Sequence, residues 1–518
     1  MFHVKHFGTI GAKILTSLRS SASPRLVRWA EADVFAAIGA RGRAAMSDDP
    51  KEPASGAGEP TLVKTRAEDN HWYLLATLYG VPRKRDDELR EKNRISWNRY
   101  FATDLDEETR ARLIKQKRHP ADELTPFSPE ELREVSAAFA ERRRASGNAH
   151  EIPCNDRSIN FSNVEFENDA SFRQYLFSRI SFFRHAAFLH SADFGGATFF
   201  DADFGGATFF SGADFYGASF SEGAHFSRAT FSGVANFRSA TFSRVAYFSD
   251  TTFSRATYFV GAAFFGEVDF HGATFSGAAF LNGATFSGGA DFNGATFSGV
   301  ANFGKAILDE WVIFTSFGET SSFVNAEMKG ETSFEGAIFK NGPPKFFGAK
   351  LHQGTVWRGI TWPPTPKDKD EVGACIDAYA CLKLEMDRLK KHEDELNFFV
   401  LELQSRRVLA GPWRGFPIAI YGIFSDYGRS YLRPLVSLFV VMAIGAVAFW
   451  YFDARTFGEA LGLSSANTLS VFGFRRDFGL EIDTPLAQLK VLAAIQTILG
   501  TILLFLFGLG IRNRFRMK

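Results

Sequence analysis

Cysteine is nearly missing from this chain, with 3 in 518 residues. Cys154 stands alone, and Cys375 and Cys381 are six apart, which fits neither a disulfide-stapled secreted fold nor a zinc-knuckle or redox spacing. Charge of one sign is missing too. The 59 Lys+Arg offset 58 Asp+Glu to a net +1, so no whole-chain field points at nucleic acid. Methionine is scarce, at 6, and the 11 histidines show no His-x-x-x-His or His-Glu-x-x-His spacing. There is no phosphate loop, no dinucleotide glycine fingerprint and no Cys/His nucleophile context. The chain therefore reads as non-enzymatic, with no catalytic residue, metal site or cofactor expected.

What is abundant is phenylalanine, 58 residues, beside 46 glycines. From Ala186 the chain falls into eleven-residue units: AAFLHSADFGG (186–196), ATFFSGADFYG (207–217), ASFSEGAHFSR (218–228), ATFSGVANFRS (229–239), and onward to ATFSGVANFGK (295–305). Each unit holds two Ala-x-Phe triplets, each followed by a polar or Gly turn. In extended backbone Ala and Phe share one face while the residue between them points outward. Helix is the poorer reading, because Gly recurs every few residues and the pairs miss the i, i+3, i+4 pattern. A chain that turns after each short strand with Ala and Phe always inside must wind into a tube of about 22 residues per coil. The expected inward columns run through Phe194, Phe199, Phe204, Phe209, Phe215, Phe220, Phe226, Phe231, Phe237, Phe242, Phe248, Phe253, Phe259, Phe264, Phe270 and Phe275. Weaker repeats flank this core at Phe161, Phe166, Phe172, Phe177 and Phe188, and at Phe323, Phe334 and Phe339. Residues 158–350 would then make about nine coils, on the order of 40 Å long at strand spacing.

These triplets resemble the pentapeptide-repeat proteins over about 190 residues. The resemblance implies a mainly β fold, a right-handed four-sided β-solenoid, here flanked by α-helices. The alternation of five and six residues departs from a strict five, and the extra residue is expected to bulge or widen one side of the coil. Some relatives of that family inhibit gyrase with acidic rods shaped like DNA. Residues 158–350 carry 18 Asp+Glu and 12 Lys+Arg, and Arg228, Arg238, Arg244 and Arg255 interrupt any negative face, so that role is not expected here.

Residues 1–60 read as a disordered leader, basic to Arg43 and then rich in Pro, Gly and acid, with a transit-like composition or an over-extended start and Met46 as initiator. MFHVKH at 1–6 can be encoded by a self-complementary string that resembles the bacterial chromosome-partition site, which accords with the over-extended start. Residues 61–150 form a helical segment that caps the solenoid of 151–350: an aromatic-rich helix over 71–82 and amphipathic helices over 86–102 and 128–146. The last has Ser128, Pro129 and Glu131 as a capping box. A solenoid end left open would expose unpaired strand edges. Residues 351–366, with TWPPTP, are expected to be a rigid break. Residues 367–433 hold juxtamembrane helices, including one long helix over 377–409. Its apolar stripe is Tyr379, Leu382, Met386, Leu389, Leu396, Phe399 and Leu403. Asp377, Glu385, His392 and Glu393 read as a solvated face, since metal-ligand spacing is lacking.

Two runs are long enough to span a bilayer: 434–452, with 435–452 free of charge, and 491–511, where Gln496 is the one strongly polar residue. Arg429 and Arg433 precede the first span, and Arg512, Arg514, Arg516 and Lys518 follow the second in the tail 512–518. The positive-inside bias places both termini and the solenoid in the cytoplasm and the loop 453–490 outside, in a bacterial inner (plasma) membrane. Within the loop, Glu459-Ala460-Leu461, Ser464, Val471 and Gly473 resemble pieces of the pore helix and filter of two-transmembrane potassium channels. The run from Gln496 is similar to that family's inner helix, with Gly500 hinge-like. The filter is degenerate: in Val471-Phe472-Gly473-Phe474, phenylalanine stands where glycines must line a fourfold pore, and Arg475 and Arg476 follow. The leading reading is a membrane-anchored scaffold whose partners are a cytosolic protein of unknown identity and the lipid membrane, not nucleic acid. The alternative is an oligomer, tetrameric if channel-like, with a non-potassium-selective pore regulated by the rod.

Overall fold

The computed structural model describes residues 64–83, 86–147, 151–153, 158–453, 456–474 and 487–516. The expected leader, Cys154, Arg475, Arg476 and the rest of the loop to residue 486 lie outside the described residues.

From Ile159 the chain makes short strands, mostly of two residues, that pair only in parallel. On one face Thr208, Thr230, Thr252, Thr274 and Thr296 are successive partners, a coil of 22 residues. Eight such pairings run from Glu165 to Ile338, giving a parallel β-solenoid of about eight turns. There are four faces. Two are separate sheets, and the other two join into a 15-stranded sheet through the long strand Thr198–Asp203, which turns a corner.

The five-plus-six spacing has a local cause. From Phe215 to Phe220 the corner is a tight turn: the Ala218 amide donates to the Phe215 carbonyl at 3.0 Å and Gly217 takes φ 63°. Asp214 prepares it by accepting from the Tyr216 amide at 2.9 Å, and Asp193, Asp269 and Asn302 do the same in their coils. This accounts for the Asp or Asn between Ala and Phe in these coils, while His225, Tyr247, Tyr258 and Phe280 hold the same position in others. The six-residue corner, such as Phe220 to Phe226, lacks that closing bond; its Ser221 amide donates instead to the Phe199 carbonyl one coil away, at 2.9 Å. The extra residue widens a corner and leaves the strands regular.

All sixteen expected Phe residues are buried to within about 1% exposure. They fall into four columns. Phe209–Phe231–Phe253–Phe275 stack at 4.7, 5.0 and 4.8 Å with rings within 12° of parallel. Phe194–Phe215–Phe237–Phe259, Phe199–Phe220–Phe242–Phe264 and Phe204–Phe226–Phe248–Phe270 repeat the arrangement. Between columns the rings meet edge to face, as Phe226 and Phe237 do at 5.5 Å and 88°. That herringbone sets positive ring edges against negative faces within a coil. Ala at the other inward position leaves room for it, and Ala213, Ala218 and Ala224 are buried.

Both ends are closed. At the start, Thr65–Arg66 adds a strand to Val164–Phe166. Helices α1 (His71–Ala76), α2 (Asp87–Ala102), α3 (Glu107–Lys115) and α4 (Pro129–Ala145) follow, α4 with the Ser128/Glu131 capping box. The first is shorter than 71–82, and α3 has no counterpart in the sequence reading. Trp97 donates to the Leu176 carbonyl at 2.8 Å and packs on Tyr175 and Phe177. Arg118 reaches as far as the Gly217 carbonyl and Thr241, so the helices cover a flank of the first coils as well as the end.

At the far end the expected break over 351–366 is in part a last coil. Val356 and Thr361 bridge Ser333 and Ile338, while Trp357 and Trp362 stack on Phe334 and Phe339 at 4.6 and 5.4 Å. The long helix expected over 377–409 is also corrected. It is two helices, α5 (Lys369–Arg388) and α6 (His392–Ser425), joined at Lys390, which takes φ 58°. The reversal places Lys383 beside the buried Glu402 at 2.6 Å and lays Tyr379 and Phe398 on Trp362. The restart shifts the helical phase, so Phe398 is buried where Phe399 was expected. Gly411, at φ 73°, then breaks α6 sharply.

Candidate functional site

Helix α7 (Leu432–Phe452) and helix α9 (Ala487–Arg516) are long and apolar enough to cross a membrane. Their outward faces are apolar too: Phe439, Ile444, Val447, Ile498 and Phe505 are all at least half exposed. A helix hydrophobic all round needs another apolar surface around it. One end of the pair is basic. Arg429 and Arg433 lie at the entry to α7, and Asn513, between Arg512 and Arg514, donates to the Gly428 carbonyl at 3.1 Å.

Between the spans sits α8 (Phe457–Thr468), begun by a Thr456/Glu459 capping box. It runs back along α7. Ala460 and Leu463 pack with Phe449, and Ser464 donates to the Met442 carbonyl at 2.7 Å, at the middle of the 21-residue α7. Gln496 donates from Nε2 to Ser464 Oγ at 2.8 Å and to the Val441 carbonyl at 3.1 Å, tying all three helices together. The missing side chains of Gly445 and Gly500 are what permit this approach. A Cβ at Gly445 would lie 1.7 Å from Gln496, and one at Gly500 would lie 2.0 Å from the Thr468 carbonyl. Gly500, expected as a hinge, is within an unbroken helix and serves as a contact residue. Ser464, Asn467 and Thr468 are fully buried, and both amide atoms of Asn467 and Oε1 of Gln496 find no partner among the described residues.

Val471 and Phe472 form a short 3₁₀ turn after α8, and Gly473 takes φ 77°. Val471, Phe472 and Phe474 are exposed. The turn therefore brings the four pore-like residues to one place beyond the buried end of α8, away from the Gln496 contact.

A second polar cluster joins the N-terminal helices to the rod. Asn98, His119, Glu123 and Arg94 form a buried network between α2 and the solenoid, in which His119 Nε2 meets Thr198 Oγ1 at 2.9 Å. Asn98 donates its two amide hydrogens to Glu123 Oε2 at 2.8 Å and to the Gln174 carbonyl at 3.0 Å. Burial, with Arg94 and Arg118 nearby, lowers the His119 pKa to about 4, and burial raises that of Glu123. Of the residues read as a solvated face, Glu385 is engaged by Arg388 and by the Leu351 amide. Asp387, His392 and Glu395 come within 4.8 Å of one another on the half-exposed α5–α6 turn, where His392 already bonds Glu395 at 3.1 Å. Outward ladders mark the rod, with Tyr258 on Phe280 at 5.0 Å, His225 on Tyr247 at 4.7 Å, and Arg238 over Tyr258.

The class defined by this geometry is a parallel β-solenoid closed by helices and followed by two apolar helices. A family profile described as pentapeptide repeats (9 copies) matches residues 215–262, 237–285 and 281–316, which supports the pentapeptide-repeat reading for the solenoid. No curated protein and no solved structure gives a significant match. A repeat solenoid of this kind suggests a non-enzymatic scaffold.

Proposed function

We propose that this protein is a membrane-anchored, non-enzymatic pentapeptide-repeat scaffold that presents its β-solenoid in the cytoplasm of a bacterium for protein–protein interaction. The observation that carries the reading is the pairing of a rod closed at both ends with an apolar hairpin whose basic end meets the helix that closes the rod, where Arg429 donates to Asn397 beside Phe398. Closed ends leave the lateral faces as the surface for a partner, and the positive-inside bias puts the basic end of the hairpin, and so the rod, in the cytoplasm.

A second reading, an oligomeric channel-like protein with a degenerate pore, is favoured by one feature. Helix α8 turns back between the spans and delivers Val471, Phe472 and Phe474 exposed at its end. The test is the mass of the full-length protein in mild detergent, by light scattering corrected for bound detergent. A monomer supports the anchor, because one hairpin cannot enclose a pore. A tetramer overturns it in favour of the channel, and flux assays would follow with Phe472→Gly and Phe474→Gly.

A further inference from the structure

The break in α6 produces a feature that neither reading uses. A Cβ on Gly415 would lie only 2.8 Å from the Arg407 carbonyl, eight residues back, so the helix does not bend but folds across itself. In a continuous helix those positions are roughly 12 Å apart along the axis. Pro412 then begins a new helix that runs to Ser425. On it Trp413, Phe416, Ile420 and Ile423 share one narrow stripe at helical spacing. Trp413 is 91% exposed, Phe416 60% and Ile423 66%. The opposite side is closed, with Gly415 and Ser425 buried and Gly422 against the Tyr427 ring.

Two observations select the occupant of this stripe. The first is continuity. Helix 412–425 ends seven residues before α7 begins, where Gly510 abuts Tyr431 and Asn513 bonds Gly428, so it lies at the level where the two apolar helices end. The second is charge. Between Glu402 and Asp426 there is no acid, and of the three cations in that interval Arg406 pairs with Glu402 at 2.7 Å, which leaves Arg407 and Arg414 as the charge of this segment. A cleft of about 640 Å³ opens at the break between Thr365, Gly411, Gly415 and Tyr427, with Arg407 its one charged lining residue.

We propose that helix 412–425 lies in the headgroup layer of the inner leaflet, its stripe buried at the acyl boundary, and that the cleft at Arg407 seats the phosphate of an anionic lipid. Tryptophan with a flanking cation is the composition of an interfacial helix, and a negative leaflet attracts such cations. The consequence is that the last solenoid coil is held close to the bilayer surface at a set angle, not suspended on a linker.

This inference rests on the membrane reading, and the experiment separates the two. Full-length protein with Cys154, Cys375 and Cys381 replaced by alanine is labelled with an environment-sensitive fluorophore at Trp413→Cys, at Val447→Cys in α7, or at Glu222→Cys on the rod. It is placed in nanodiscs of phosphatidylcholine, with or without phosphatidylglycerol, that carry nitroxide lipids at headgroup or mid-chain depth. The label at 413 should lose emission to headgroup nitroxide, more so with phosphatidylglycerol. The label at 447 should respond to mid-chain nitroxide, and that at 222 to neither. In Arg407→Gln with Arg414→Gln, the phosphatidylglycerol dependence at 413 should disappear; if it persists, the anionic seat is overturned. A label at 413 open to aqueous iodide while 447 is quenched overturns the interfacial helix and leaves the anchor standing. A label at 413 shielded from both lipid and iodide means that a second copy covers the stripe, which also overturns it. No quenching at 447 removes the membrane reading itself.

Discussion

Gly500 and Gly508 lie on the same helix, yet their surroundings differ in a way that yields a test. A methyl at Gly500 would collide with the Thr468 carbonyl, whereas nothing lies within 4 Å of one at Gly508. Gly500→Ala should push α8 off α9 and lower the melting temperature in detergent. Gly508→Ala should melt at or slightly above the parent, since alanine has the better helix propensity. Equal melting of the two would mean that α8 does not pack as described. His119 gives a pH signature. Its pKa in the fold is about 4 against an ordinary value of 6.5, so the unfolded chain holds more protons between those values. Stability is then full above about pH 6.5 and falls as the pH drops toward 4, by up to roughly 1.4 kcal/mol per unit. Glu123 works in the opposite sense: its raised pKa means that stability is lost as the pH rises through its titration. His119→Asn should flatten the pH dependence of denaturant midpoints between 4 and 6.5, and an unchanged slope would remove His119 as its source.

At the scale of elements, the stacked columns make the solenoid cooperative. Phe231 and Phe253 are neighbours in one column and Phe242 lies in another, all with at most 1% exposure. Replacing the three with alanine should remove about 3–5 kcal/mol at each site and dissolve the middle coils. Circular dichroism and calorimetry check this, and an unchanged melt would contradict the inward columns. Much of this element was legible beforehand, because Ala-x-Phe at two-residue spacing can bury both side chains only in extended backbone. The caps were legible in type and not in detail. Ser128 and Glu131 announce α4 through a purely local bond, whereas the reversal at Lys390 is visible only when Trp357 and Trp362 are already in place to receive Tyr379 and Phe398.

For the whole molecule, closure of both ends covers the strand edges that an open solenoid would expose. Residues 64–147 cover Tyr175 and Phe177 and pair the open backbone of Val164. The chain with residues 1–147 deleted should self-associate through that bared edge, which size-exclusion light scattering would read as an oligomer of the shortened chain. An unchanged oligomeric state would mean that the edge needs no cover.

The amino-acid sequence by itself determined the solenoid, its period, its inward phenylalanines and the two apolar helices, since each follows from periodicity or run length within a few residues. Only the tertiary structure decided what depends on distant partners. The wide corner takes the extra residue because the preceding coil supplies the acceptors for its amides. Gly500 is a contact because Thr468 arrives there. Trp357 and Trp362 belong to the last coil because a column of rings continues through them. Trp413 is exposed because the chain folds across itself at Gly411. Such contacts join residues far apart in the chain or hinge on one backbone angle, and side-chain spacing along a sequence records neither.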